Sequence, residues 1–241
     1  MIYQILFSSA YDAIEKICLL IAFVFSAMFA ISLHEYAHGF AAYKMGDDTA
    51  KVQGRLTLNP ISHFEPVGLV MFLLIGFGFA RPVPVNPYNF KNIRKGMLIT
   101  SFAGVIANLI QVIIGFGLMI GFGYLFLTYV VAKNALYYFL LFLFRFALYA
   151  TLLNAVLIAF NLLPIYPLDG FRVVESLARR ENGYIRFMRR YGQYILIGIV
   201  LVGFILDRAG LPEGNVFGLY LSKVQEGILA LFKKIMGGLG K

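Results

Sequence analysis

Long apolar runs alternate with short polar breaks along the chain. Residues 17–33, 98–127, 135–163 and 194–206 carry almost no charge, and these runs approach or exceed the roughly 20 residues that take a helix across a bilayer. The pattern predicts spans at about 16–43, 98–127, 135–163 and 191–206. A last apolar stretch, 216–232, is broken by Lys223 and Glu226 and ends at Lys233 and Lys234, so it either re-crosses or lies in the interface as an amphipathic helix. The first span stops at Met45-Gly46-Asp47-Asp48, where Gly46 suits the position just past a helix end. Beyond it, VQGRLTL (52–58) is partly alternating and β-branched and is closed by Asn59-Pro60, which predicts a strand or hairpin. The run 67–79 is too short to span and is punctuated by Gly68, Gly76 and Gly78, with Pro82 and Pro84 beyond.

Composition agrees with this reading. The 241 residues are 60% hydrophobic and 14% charged, against about 45–50% and 25% for a soluble domain. Net charge is +9, but the basic residues sit between the spans, so it argues for a bilayer rather than a nucleic acid as the partner. Lys44, Lys51 and Arg55 precede the short run 67–79, and Arg81, Lys91, Arg94 and Lys95 follow it. The positive-inside rule puts both its ends on the cytoplasmic side and makes it re-entrant. The loop near Lys133 is poorly charged, whereas 164–190 holds six arginines against three acids, which sets the direction of the remaining spans. Cys18 is the lone cysteine, so no intrachain disulfide forms. Asp12 and Glu15 make the N-terminal flank acidic, unlike a signal peptide, and the first span is expected to be retained. The expected fold is an all-α polytopic membrane protein of four to five transmembrane helices. It has a short strand or hairpin and a re-entrant segment near the cytoplasmic side, in one integral-membrane domain over 1–241 (core about 16–175, C-terminal helices about 176–241).

Only three histidines exist, and His34 and His38 bracket Glu35 in the segment HEYAH inside the first span. Four residues turn a helix by about 400°, so both imidazoles share a face and can reach one metal ion with the glutamate beside it. Chance occurrence of this pattern in such a chain is on the order of 10⁻³. Ionisable groups within a span are costly and call for a shared reason, and a metal supplies one. A catalytic zinc needs a third protein ligand and an open position. Asp169, in NLLPIYPLDG (161–170), is the best candidate; alone it reads more readily as a turn or helix cap. Asn154 and Asn161 lie seven residues apart and so on one helix face, and Asn108 is a third polar residue in an apolar helix. Helix-to-helix hydrogen bonding is the simpler role for Asn108 and Asn154. His63 reads as a loop hydrogen-bond partner ahead of a transient ligand or gate. Arg145, midway in an apolar run, must snorkel outward or pair within the bundle, and no catalytic role is assigned to it.

HEYAH together with Asn161-Leu-Leu-Pro164 and Leu168-Asp169-Gly170 resembles the site-2 protease family of intramembrane zinc metalloproteases. The segments 46–63, RPVPVNP (81–87) and AGVIAN (103–108) resemble the connecting segments of its short prokaryotic members, those without a PDZ or CBS domain, so the likeness covers about 30–175. One departure is Val105, where the family usually has proline; it touches no proposed ligand. The resemblance implies that His34, His38 and Asp169 hold one Zn²⁺ and that Glu35 activates water there. It also implies that Asn161 is an active-site asparagine serving an oxyanion or substrate backbone. The substrate would be a transmembrane protein cut in or near its membrane segment, at a multi-pass enzyme of a prokaryotic cell membrane with its site toward the cytoplasm. A helical substrate must unwind before cleavage, and a strand at 52–58 would offer an edge to capture it. The same intramembrane cluster also permits a metal-ion or proton transporter, and a structural zinc in a non-catalytic scaffold is a third reading. Absence of inverted repeats and an intact Glu35 weigh against these two.

Overall fold

The computed structural model describes residues 8–68, 71, 78, 80–178 and 180–239. Helix α1 (Ala13–Lys44) opens with a capping box: the Asp12 side chain accepts from Glu15 N, and Glu15 reaches back to Asp12 N, each at 2.8 Å. It ends as the sequence predicts, with Gly46 in the left-handed region at φ 110°. A single helical turn, α2 (Thr49–Val52), follows. Helices α3 (Ile93–Tyr129) and α4 (Ala135–Asn161) begin at Asn92 and Asn134, whose side chains accept from the amides of Lys95 and Tyr137. After the Pro-rich break come α5 (Asp169–Leu177), α6 (Gly183–Arg208) and α7 (Val216–Leu239).

α1, α3 and α4 pack on one another and form the frame. Their apolar cluster, Leu19, Ala22, Phe23, Met119, Ala147, Leu148 and Tyr149, lies toward the Ala13 end, with Phe23 edge-on to Tyr149. Small residues let α1 approach its neighbours: Ser26, Ala27 and Ala30 are buried, and Ser26 Oγ donates across to Phe146 O at 2.9 Å. α5 leans on α3, and Arg94 ties it there by donating to Ala178 O at 2.6 Å.

Among the described residues four helices, α1, α3, α4 and α6, are long and apolar enough to cross a membrane, as the hydropathy pattern expected. The fold is all-α and polytopic. α7 fails that test of composition yet lies along α4. Phe217 packs on Phe160, Tyr220 donates to Ala159 O, and Phe232 packs on Phe144. From Phe217 to Phe232 is about 22 Å of helix, antiparallel to α4.

The strand or hairpin expected at 52–58 does not form, and no strand occurs among the described residues. Asp47 draws in Thr49 N, starting the α2 turn, and the Ala50 carbonyl then takes the amides of both Arg55 and Leu56. His63 takes the carbonyl of Thr57. Local partners therefore satisfy backbone groups that a ladder would need, and β-propensity is overridden. Among the described residues, one antiparallel bridge, Phe64 to Ala80, is all that resembles a sheet. Most of the expected re-entrant segment 67–79 falls outside the described residues.

Candidate metal centre

α1 presents His34 and His38 one turn apart, both buried, with their Nε2 atoms 3.0 Å from each other. Asp169, the first residue of α5, brings Oδ2 to 3.3 Å from His34 Nε2 and 3.1 Å from His38 Nε2. The three form a buried group whose ligand atoms all lie within 4.8 Å of one another. In tetrahedral zinc sites with ligand bonds near 2.0–2.1 Å, ligand atoms stand about 3.3 Å apart. The spacing fits.

Protonation argues the same way. His38 Nδ1 lies 2.7 Å from the carbonyl of Thr100, which can only accept, so Nδ1 carries a proton and Nε2 is the ring atom left to face a metal. That atom faces His34 Nε2 and Asp169 Oδ2, three atoms that can each offer a lone pair to one cation.

Two glycines make the approach possible. A Cβ on Gly104 would stand 2.5 Å from both His34 Cε1 and His38 Nε2, so only glycine lets α3 come up to the imidazoles. A Cβ on Gly170 would collide with Leu162 O, so glycine also lets α5 start against the break after α4. Gly170 belongs to the Leu168-Asp169-Gly170 pattern read from the sequence, but Thr100 and Gly104 were not identified as site elements, because a carbonyl partner and a close approach have no signature in residue spacing.

Glu35, between the histidines, is half-buried; its Oε2 accepts from Val83 N at 2.9 Å. Oε1 makes no hydrogen bond to any described residue. Asp47 lies further along, fully buried, accepting from Asn86 N at 2.7 Å and Asn89 Nδ2 at 2.8 Å. Burial works to raise its pKa, but hydrogen bonds from Thr49, Asn86 and Asn89 outweigh it and hold the carboxyl below its ordinary value.

The other polar residues lie apart. Asn161 is half-buried and donates to Leu157 O on its own helix at 3.0 Å, with no hydrogen bond to the His–Asp group. Asn154 reaches Gln111 on α3 at 3.5 Å, an interhelical contact, while neither polar atom of the buried Asn108 side chain has a hydrogen bond to a described residue. His63 is fully buried as a loop partner, Nε2 to Thr57 O at 2.8 Å. Arg145 stacks over Phe144 near the Ala13 end of the bundle.

Comparison with known proteins agrees with this geometry. The chain is 46% identical over 154 residues to YwhC of Bacillus subtilis (strain 168), named as a candidate zinc metalloprotease, a match covering 64% of this chain and 68% of that one. It is 25% identical over 186 residues to Rip2 of Mycolicibacterium smegmatis, likewise named, covering 75% and 66%. Against Rip2 of Mycobacterium tuberculosis (strain H37Rv) it is 31% identical over 159 residues, covering 64% and 56%. Thus the aligned part is about two thirds or less of these relatives' own lengths. No solved structure matches the chain. The profile of peptidase family M50 matches residues 22–204, three quarters of the sequence, and the chain belongs to that family.

Proposed function

We propose that the chain hydrolyses a peptide bond in or near the membrane segment of a transmembrane protein, with His34, His38 and Asp169 holding zinc and Glu35 as general base. Family M50 membership makes it a zinc metalloprotease of multi-pass membrane type. The observation that carries the assignment of residues is the convergence of two Nε2 atoms and one carboxylate oxygen at 3.0–3.3 Å, with Glu35 adjacent. When bound, zinc supplies Lewis acidity that polarises a carbonyl and acidifies water. Glu35 Oε1 then takes a proton and returns it to the leaving amine. Thr100 O fixes the tautomer of His38, and packing of α1, α3 and α5 limits bulk water at the site. Asn161 serves the developing oxyanion or the substrate backbone after its amide turns away from Leu157; Asn161→Ala is expected to lower kcat by about 10²-fold.

His34 lies about 15 Å of helix from the Lys44 end. That end gathers Lys44, Lys51, Arg55, Arg81, Lys91, Arg94 and Lys95, while Lys133 sits at the other, so we place the site toward the cytoplasm. The lipid bilayer is the medium, and one integral-membrane domain over 1–241 suffices for the reading. The transporter alternative has no support from the family.

The deciding experiment compares wild type with Glu35→Gln, measuring zinc per chain and cleavage of a single-span substrate in vesicles. Zinc is expected in both and cleavage in wild type alone. Cleavage by Glu35→Gln at the wild-type rate, or no cleavage by zinc-loaded wild type across a panel of single-span substrates, overturns the assignment.

A further inference from the structure

Residues 81–86 run from the Phe64–Ala80 bridge to the 3₁₀ turn Pro87–Asn89, beside the face of α1 that carries Glu35. Prolines at 82, 84 and 87 push residues 81, 83 and 86 toward extended backbone. The segment is fastened at both ends. At its start, Arg81 N donates to His63 O at 2.9 Å, and the Arg55 guanidinium donates to Arg81 O at 2.7 Å and Pro82 O at 3.3 Å. At its finish, Asn86 N donates to the buried carboxylate of Asp47 at 2.7 Å.

Between these fastenings lies the contact with Glu35. Pro82 and Pro84 have no N–H, so Val83 is the sole amide donor from 82 to 84, and it is aimed at Glu35 Oε2 at 2.9 Å. The Val83 side chain is buried against α1, where a Cβ on Gly39 would stand 2.9 Å from its Cγ1. A carboxylate on a freely turning side chain samples many orientations. One accepted amide bond fixes its plane and leaves the second oxygen open, and a neutral donor does so without pairing the charge away.

We propose that 81–86 is a strap that orients the Glu35 carboxylate through the Val83 amide, with Asp47 and Arg55 as positioning residues that hold its two ends. This rests on Glu35 being the general base and specifies how that base is aimed. Asp47 and Arg55 touch neither the metal ligands nor the reacting atoms; they act through the strap.

Two independent measurements test it. The first is amide hydrogen exchange in the purified, zinc-loaded full chain, which needs no cleavage. Glu35→Ala is expected to speed exchange of the Val83 amide by about tenfold or more while Asn86 stays protected, and Asp47→Ala to speed Asn86. Unchanged exchange at Val83 in Glu35→Ala overturns the proposal whether or not the chain proves to be a protease. The second is kinetic. Val83→Ala keeps the N–H and loses packing, whereas Val83→Pro loses the N–H. Relative to Val83→Ala, Val83→Pro is expected to lower kcat about 10- to 100-fold with KM and zinc content unchanged. Arg55→Lys, which keeps a donor for the Arg81 carbonyl, should recover kcat lost in Arg55→Ala. Equal kcat in the two Val83 variants, or no difference between the two Arg55 variants, counts against the strap.

Discussion

At the residue scale, the centre depends as much on what is missing as on what is present. The imidazoles reach their positions because Gly104 has no side chain to occupy the 2.5 Å gap. Gly104→Ala should therefore weaken zinc binding by tenfold or so, read by competition with a chelator, since the neighbours are ring atoms of two ligands rather than a flexible chain end. Gly117 on the same helix has open space around its Cβ position, and Gly117→Ala should leave zinc binding unchanged while adding about 0.5–1 kcal/mol of helix stability. Equal zinc affinity in the two variants would contradict the close-approach account. His34, Glu35 and His38 were legible in the sequence because their spacing on one helix is itself the geometry. Asp169 was legible through its resemblance to a family pattern. Thr100 was not, because its contribution is a carbonyl that every residue possesses.

Single elements obeyed local rules wherever their contacts were local. Asn92, Asn134 and Asn182 cap α3, α4 and α6, and Gly46 closes α1. At the start of α1, Asp12 is gripped by Lys133 at 3.1 Å and by Tyr138, while Glu15 is gripped by Lys133 at 2.9 Å and by Tyr137. The Asp12 carboxyl is held below its ordinary pKa, first by the backbone N–H of Glu15 and then by Lys133 and Tyr138, against an opposing effect of burial. A depressed folded-state pKa supplies stability that is fully present above the unfolded value near 3.9 and is lost as pH falls through the folded value. Melting temperature should therefore drop on acidification from pH 5 toward pH 3 more in wild type than in Asp12→Asn; equal slopes would remove the clasp from the account. VQGRLTL departed from its β-propensity because flanking residues took backbone groups in and beside it: Asp47 the amide of Thr49, and His63 the carbonyl of Thr57. α7 gained its place from Phe144 and Phe160, partners that its own charged sequence could not reveal.

Across the whole molecule, the His–Asp group joins α1 to α5, and α5 is also held by α3, with Arg94 at its end, and by α6 through the Glu175–Arg189 ion pair. On the proposed ligand set, zinc would cross-link the α1–α3–α4 frame to the segment after the proline break. Binding to the folded state alone adds about 4 kcal/mol when free zinc is a thousandfold above its dissociation constant. Stripping the metal with a chelator should lower the melting temperature by several degrees, and returning zinc should restore it in wild type but not in His38→Ala. A chelator-insensitive melt would mean that the three side chains converge without a metal's help.

The sequence by itself determined that the chain crosses a membrane several times and that His34, Glu35 and His38 share a helix face, because hydropathy and helical periodicity are properties of neighbouring residues. It also marked where α1 ends, through the backbone freedom of Gly46. Only the tertiary structure decided that Asp169 comes within 3.3 Å of both imidazoles, that Gly104 must be small, and that Val83 aims its amide at Glu35. These are meetings of segments between roughly 50 and 135 residues apart in the chain, set by how helices pack. Packing depends on the shape of every surface in contact, which no single stretch of sequence contains.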